Sequence, residues 1–551
     1  MKQTDNIFHF LSNKFFLISI LTFLALNFMI FAPHHLFDWD EVNFAESARE
    51  MIETNDYTTV QIDYKPFWEK PPLFFWLQVV SMKVLGINEF AARFPNFLAG
   101  LIVVFLLFNI GKRFFDKKFG YYFSGIYLGS FLPFAYFNSG IIDPWFNLFI
   151  FSGIYFFMLV YIDNEHIHKY LLLSAISISA AILTKGPVGL LIFLLTYFFV
   201  LVFYIGFKKI IHIKYILLYG LYVVLFGGSW FILLVLQGKT NIIVDFVLYQ
   251  IRLFSTQDAG HGGPFYYHFV VILFGLIPFS LFAIYAFKRS IKSKLNSNQK
   301  MLYNWMFVLF WVVMILFSIV KTKIIHYSSM AYYPMAFFGA LAFYEREKED
   351  KPWNKFYVIG TAFIVLLYTV ALLLLPYIEH NKQEILSLGI LKDPFAEEAV
   401  RTVSVSWGTG YIIASIVSGI ILILTVLTVN KHKNPLVLAL YATFFYSQIF
   451  TAVIKVEHYS QGTAIEFYKK FQGKKVYVYP LGFKSYAHLF YTQKKPDMPA
   501  ITEAEMLNCK AKYPAYAVVK INSAKEKEKQ YPNLKKLYQK GGFVFYKVGC
   551  K

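Results

Sequence analysis

"KFFLISILTFLALNFMIFAPHHLFDWDEVNFAESARE", residues 14–50, sets a membrane-length apolar run directly against a cluster of acids. Residues 14–32 are a 19-residue stretch that is predominantly apolar after Lys14, and at about 1.5 Å per residue such a helix nearly spans a hydrocarbon core of roughly 30 Å. Lys14 opens the run and no small-residue cleavage site precedes Pro33, so it reads as a retained span rather than a signal peptide. Beyond it, Asp38, Asp40, Glu41 and Glu46 fall within nine residues. Asp38 and Glu41 have the spacing of a capping box, and Phe44, Ala45, Ala48 and Met51 continue with helical periodicity. Asp40 completes no box: it reads equally as a solvated first-turn carboxylate and as a functional acid.

The whole chain, 551 residues long, is 57% hydrophobic, 20% aromatic and 16% charged, with a mean hydropathy of +0.49. That is the composition of a polytopic membrane protein and excludes an ordinary soluble domain. Further apolar runs centre near Val103, Gly129, Phe151, Ile176, Leu194, Val224, Leu273, Trp311, Ala336, Leu366, Ile420 and Thr443. With the first run they predict an all-α bundle of about 13 transmembrane helices at roughly 20 residues each. The basic loops "GKRFFDKK", "FKKIIHIK", "KRSIKSKLNSNQK" and "NKHK" share one side with the N-terminus, which is therefore expected to be cytoplasmic, with the C-terminus outside.

Composition changes at "KVEHYSQG", so residues 1–455 are read as the membrane region and 456–551 as a small soluble α/β domain. Its strands are expected at "KKVYVYPLG", "YAVVKI" and "GGFVFYKV", a helix at "FKSYAHLFYTQ", and Lys-rich helix or loop before the last strand. From Lys455 onward there are 19 Lys, no Arg and 7 acidic residues, a net +12 of the chain's +20. Such a surface suits anionic lipid or an acidic substrate; no nucleic-acid partner is expected. The two cysteines, Cys509 and Cys550, both lie there, and an outer compartment permits a disulfide. Three outer segments, 33–71, 237–264 and 377–407, are too long for turns and are where function is expected to concentrate.

The charged groups of these segments each carry two readings. Glu69 and Lys70, before Pro71 and Pro72, form either an interfacial ion pair or an anion site at a helix start. Asp143 in "IIDPWFN" either begins a helix or does chemistry. Lys185 closes a helix counted at about 15 residues, roughly 22 Å, so it either lies below the headgroups with an anionic partner or snorkels. Arg252, His261, Gly262 and Gly263 form either an interfacial loop or a phosphate wrap. Lys321, Lys323 and His326 sit in an outward turn against the positive-inside trend, which an anionic ligand would explain. On this topology all these groups face outward. Carboxylates and cations at one membrane surface suit transfer from a lipid phosphate.

"DEVNFAESAREM", "FWEKPPLFFW", "IIDPWF", "LTKGP", "HGGPFYY" and "KTKIIHYSSMAYYP", in this order, resemble the protein O-mannosyltransferase-type glycosyltransferases of the C class, and within them the lipid A 4-amino-4-deoxy-L-arabinose transferases. The resemblance implies transfer of a sugar from an undecaprenyl or dolichyl phosphate carrier at the outer face of a bacterial inner membrane, in the periplasm. It implies Asp40 and Asp143, with Glu41 beside the first, as catalytic carboxylates. Lys70, Lys185, Arg252, His261, Lys321, Lys323 and His326 are the corresponding substrate-binding residues. A divalent metal is implied, with Glu69 and His261 as ligands. Phe44, where the arabinose transferases usually have Tyr, and "IIHYSS", where Leu-Pro commonly follows the lysine pair, depart from the pattern. The expected acceptor is lipid A or another anionic glycolipid; a protein Ser/Thr hydroxyl is the alternative, and a lipid-linked-sugar transporter a third reading.

Overall fold

The computed structural model describes residues 2–255, 262–499 and 501–549, with side chains omitted for 2–12 and 253–255. Every expected apolar centre falls on a helix except Gly129, which lies at the break between Lys117–Leu128 and Phe131–Phe137. Among the described residues eight helices are long and apolar enough to cross a membrane. The number is ten when the bent pairs Ile213–Gly227 with Ser229–Leu236, and Tyr267–Gly275 with Ser280–Phe287, each count as one span. The other expected spans, Lys117–Leu128 with Phe131–Phe137, Asp143–Leu159 and Tyr332–Glu349, are shorter or end in charge and are buried along most of their length. They are the inner helices, and their neighbours, not lipid, cover them. The chain is a multi-pass membrane protein whose outer helices turn residues such as Val84, Phe105, Leu217 and Val224 outward, as a lipid-facing surface requires.

Small residues set the closest approaches. A Cβ on Gly111 would lie 2.7 Å from the Cα of Gly120, so helices Glu89–Phe114 and Lys117–Leu128 meet backbone to backbone.

The outer segments carry secondary structure of their own among the described residues. The first carries helix Asp40–Thr54 and a two-residue hairpin, Gln61–Ile62 against Lys65–Pro66; the second carries helix Thr240–Ser255; the third, Lys382–Ser387 and Pro394–Thr402. The C-terminal part is a four-stranded sheet in the order Tyr477–Leu481, Ala515–Lys520, Phe543–Val548, Leu534–Lys540, the first pair parallel and the others antiparallel. Leu534–Lys540, expected as helix or loop, is one of the two edge strands. Its lysines are the charged decoration that keeps an exposed edge from pairing further. Helix Pro435–Glu457 runs through a π turn into Thr463–Lys469, so the expected boundary at 455 falls inside one helical stretch, with no flexible linker there.

The domain is braced on the first outer segment. Phe543, Phe545 and Val518 share a core with Phe44, Phe74 and Phe75. Leu36 N donates to Tyr491 Oη at 2.7 Å, Arg49 Nη1 to Lys494 O at 2.9 Å and Gln461 Nε2 to Leu36 O at 2.7 Å. Cys509 is disulfide-bonded, and Cys550 lies outside the described residues.

Candidate active site

The acidic stretch is held by an arginine that the sequence reading passed over. Arg93, in helix Glu89–Phe114, donates Nε to Glu41 Oε1 at 3.0 Å and Nη2 to Glu41 Oε2 at 2.7 Å. The same guanidinium donates to the carbonyls of Ala32, His34 and His35 at 2.9, 2.6 and 2.9 Å. Glu41 also accepts from Phe37 N at 2.8 Å and from Gly140 N. Burial alone would raise the Glu41 pKa; Arg93 and the two backbone donors hold it below its usual value. The expected capping box is therefore absent. Helix Asp40–Thr54 has Trp39 as its N-cap with no side-chain cap bond, because Glu41 is drawn inward to Arg93. All of its acceptor positions are engaged, so Glu41 is a holding residue, against the catalytic role expected of it.

That clamp leaves Asp40 facing outward into the site, 3.8 Å through Oδ2 from His326 Nε2. The same nitrogen is 3.9 Å from Asp143 Oδ2. Asp143 is the first residue of helix Asp143–Leu159, but its side chain makes no cap bond. Its Oδ1 accepts from Lys185 Nζ at 2.6 Å, and Oδ2 is buried without a hydrogen bond. The anionic partner expected for Lys185 is thus the chain's own Asp143. The helix before Lys185, Ile167–Lys185, has 19 residues rather than 15, so at about 28 Å it nearly spans the core. Burial, with Lys185 and Lys70 nearby, keeps His326 below its ordinary pKa against the opposing pull of Asp143 and Asp40.

Two spaces meet here. A polar cavity of about 670 Å³ is lined by Asp38, Asp40, Glu69, Arg252, His326 and Lys484, among others. An apolar groove of about 240 Å³ runs from it between Phe146, Val188, Leu191, Ile192, Leu316 and Met330. Lys70, Lys185 and Tyr327 line both. Lys70 lies 5.2 Å from the centre of the Tyr249 ring, and Arg252 5.1 Å from the same ring. Glu69 accepts from Tyr249 Oη at 3.1 Å. Burial depresses the Lys70 pKa, with Glu69 pulling it back up. Lys185 Nζ stands over the Tyr327 and Phe146 rings at 5.3 and 5.6 Å. The arrangement can seat an anion at the mouth of an apolar slot, with Asp40 and an imidazole on the water side and Asp143 buried behind Lys185.

Lys323 and Lys321 stand apart from this junction. Lys323 Nζ donates to the carbonyls of Phe317, Ser318 and Val320 at 2.9, 2.7 and 2.6 Å. It closes the C-terminal end of helix Ser297–Ile319, where a cation meets the helix dipole, rather than meeting a ligand. Lys321 is exposed and lines neither space. His261 lies outside the described residues. Among the described residues no three His, Cys, Asp or Glu side chains converge as a metal site; the one expected ligand described, Glu69, is bonded to Tyr249.

Sequence reading missed Arg93, Lys484 and Tyr327. Arg93 had a signal: an arginine near the start of an apolar helix requires a partner. Lys484, 4.6 Å from the centre of the Trp39 ring, is brought in by the C-terminal domain, and nothing in its local sequence marks it.

A family model described as dolichyl-phosphate-mannose-protein mannosyltransferase matches residues 69–231. "Undecaprenyl phosphate-alpha-4-amino-4-deoxy-L-arabinose arabinosyl transferase 1" of Proteus mirabilis (strain HI4320) is 23% identical over 344 residues, 62% of this chain and 60% of that protein. The enzyme of that name from Photorhabdus laumondii is 26% identical over 337 residues, 59% of this chain and 58% of that protein. The chain thus spans about three fifths of the length of the curated relatives it matches. In three dimensions it resembles the crystal structure of ArnT from Cupriavidus metallidurans bound to undecaprenyl phosphate, with a TM-score of 0.75 at 16% identity over 98% of this chain and 99% of that one. In sequence over residues 69–231 this chain is similar to the protein O-mannosyltransferase-type membrane glycosyltransferases, and along its length it has the ArnT fold.

Proposed function

We propose that this protein transfers a sugar from a polyprenyl-phosphate carrier to an anionic glycolipid, lipid A in kind, at the outer face of the bacterial inner membrane. The observation that carries the proposal is the junction of the two spaces. An apolar slot with Lys70, Lys185 and Tyr327 at its mouth is what a lipid phosphate needs: the chain in the slot, the phosphate on the cations. The polar cavity beyond it is where sugar and acceptor would meet. Relatives are named for undecaprenyl-phosphate aminoarabinose transfer, which supports the donor class.

The N-terminus is assigned to the cytoplasm, and the site and C-terminal domain to the periplasm. Helix Ser297–Ile319 supports this, because it begins at the basic loop 288–300 and ends beside His326. The lysine-rich segment and the site thus stand at opposite ends of one span.

The acceptor oxygen attacks the anomeric carbon, the bond from that carbon to the phosphate oxygen breaks, and polyprenyl phosphate leaves with the electron pair. Lys70, Lys185 and Arg252 neutralise the charge gathering on it. Asp40 orients the acceptor from the water side; Asp143 fixes Lys185. Mass spectrometry of lipid A from cells with and without the gene tests the assignment. A phosphate-linked amino-pentose or hexose present only with the gene is the expected result. Unchanged lipid A together with a glycan lost from secreted proteins would move the acceptor to a protein hydroxyl.

A further inference from the structure

His326 has a position that donor binding does not explain. Its Nε2 stands 3.8 Å from Asp40 and 3.9 Å from Asp143, carboxylates on two different helices. Both separations exceed a hydrogen bond, so Nε2 is committed to neither acid, and the ring lines the polar cavity beside Asp40. The ring is placed by a short 3₁₀ segment, Ile325–Ala331, pinned to the Asp143 helix. Ser329 Oγ donates to the His326 carbonyl at 2.5 Å and accepts from Asn147 Nδ2 at 2.7 Å. Asp40 faces the polar cavity, whereas Asp143 is tied to Lys185 at the mouth of the slot.

We propose that His326 is the proton carrier of the transfer, taking the acceptor's proton on the Asp40 side and giving it to the departing phosphate on the Asp143 side. The inference rests on the transferase reading above. An acceptor O–H in the polar cavity, the P–O–H of a monoanionic lipid A phosphate within reach of Asp40 and Nε2, gives its proton to the imidazole as its oxygen bonds to the anomeric carbon. Asp40 and Asp143 stabilise the imidazolium. The bond from that carbon to the phosphate oxygen breaks with its electrons on phosphate, and the imidazolium returns the proton to that phosphate. One proton leaves the acceptor and one arrives on the polyprenyl phosphate, so the ring ends as it began. The titratable groups facing His326 are Asp40, Asp143, Lys185 and Lys70, with His268 of helix Tyr267–Gly275. Burial, with the two lysines, lowers its pKa and so favours the neutral ring, the form able to accept a proton.

The test is the pH dependence of kcat with labelled undecaprenyl-phosphate sugar and lipid A, on the full-length protein in nanodiscs, for wild type and His326→Gln. Binding of unlabelled undecaprenyl phosphate, read as a thermal shift, controls for folding. The expected result is a kcat lower by about 10²–10⁴-fold, the acid limb of the wild-type profile lost, and the thermal shift retained. A variant that binds undecaprenyl phosphate and keeps the wild-type rate and acid limb overturns the carrier role alone. If His326→Gln fails to fold, His326→Asn and the wild-type solvent isotope effect decide; an effect near unity with chemistry rate-limiting overturns the role. A wild type that binds undecaprenyl phosphate yet transfers nothing overturns both this inference and the transferase reading.

Discussion

Replacing Glu41 by Gln separates holding from chemistry at the acidic stretch. The carboxylate accepts two bonds from Arg93 and one each from Phe37 N and Gly140 N. Gln keeps one oxygen and turns an NH₂ toward a donor-only guanidinium, so at least one of the Arg93 bonds becomes a clash of donors. Arg93 and Glu41 are 3% and 4% exposed at the side chain, which makes the remaining guanidinium a buried, uncompensated charge. Removing one partner of such a pair costs about 3–5 kcal/mol. Three carbonyls still hold Arg93, which places the expectation toward the lower end. Thermal unfolding in detergent, followed by the fluorescence of the nine tryptophans, should show a clearly lowered midpoint. The double variant Glu41→Leu with Arg93→Met should regain part of it, because an apolar pair leaves no stranded charge. Activity should fall in proportion to folded protein. A Glu41→Gln protein with wild-type stability and abolished turnover would refute this reasoning and return Glu41 to the chemistry.

Three further outcomes follow from particular contacts. Lys323→Met should lower the unfolding midpoint, since three helix-end carbonyls lose their donor at about 1–3 kcal/mol, while KM for the polyprenyl donor stays within twofold; a large KM rise would place Lys323 on the phosphate. Lys185→Met strands the Asp143 carboxylate and should cost both stability and donor affinity, with Asp143→Asn recovering stability but not affinity. Recovery of both would show that Lys185 does not bind the phosphate. The third concerns pH. Burial, and then the charge of Glu46, push Glu50 up to about 9. A carboxyl whose folded pKa is raised favours the fold below its unfolded value, and that contribution is lost as pH climbs from about 4.5 toward 9. Glu50→Gln should therefore equal wild type in thermal stability at pH 5 and exceed it at pH 8; a deficit at pH 8 contradicts the assignment.

The spans were legible because lipid demands roughly twenty apolar residues per helix and the sequence supplies them at regular intervals. The inner helices were legible for the same reason, although cover by neighbours lets them be shorter. The charges were harder. Lys185 announced an anionic partner through the cost of burying it, and the partner proved to be Asp143, forty-two residues away. Lys323 carried the same local signal as Lys321, but helix-end carbonyls answer it, and carbonyls have no sequence signature. Glu41 fitted a capping box by spacing; only the fold reveals Arg93, fifty-two residues on, as the stronger claimant. Lys484 enters from the C-terminal domain and could not have been placed without the tertiary contact that brings Trp39 beneath it.

The central claim is that one junction binds a lipid phosphate and passes its sugar to an acceptor at Asp40. Incubating the purified protein in nanodiscs with radiolabelled undecaprenyl-phosphate sugar and lipid A, and following the label by chromatography, tests it directly. The account predicts label on lipid A and free undecaprenyl phosphate in equal amounts, KM for the donor raised severalfold by Lys70→Met, and turnover lowered by Asp40→Asn. Donor left intact by wild-type protein, or transfer unaffected by both substitutions, would contradict it.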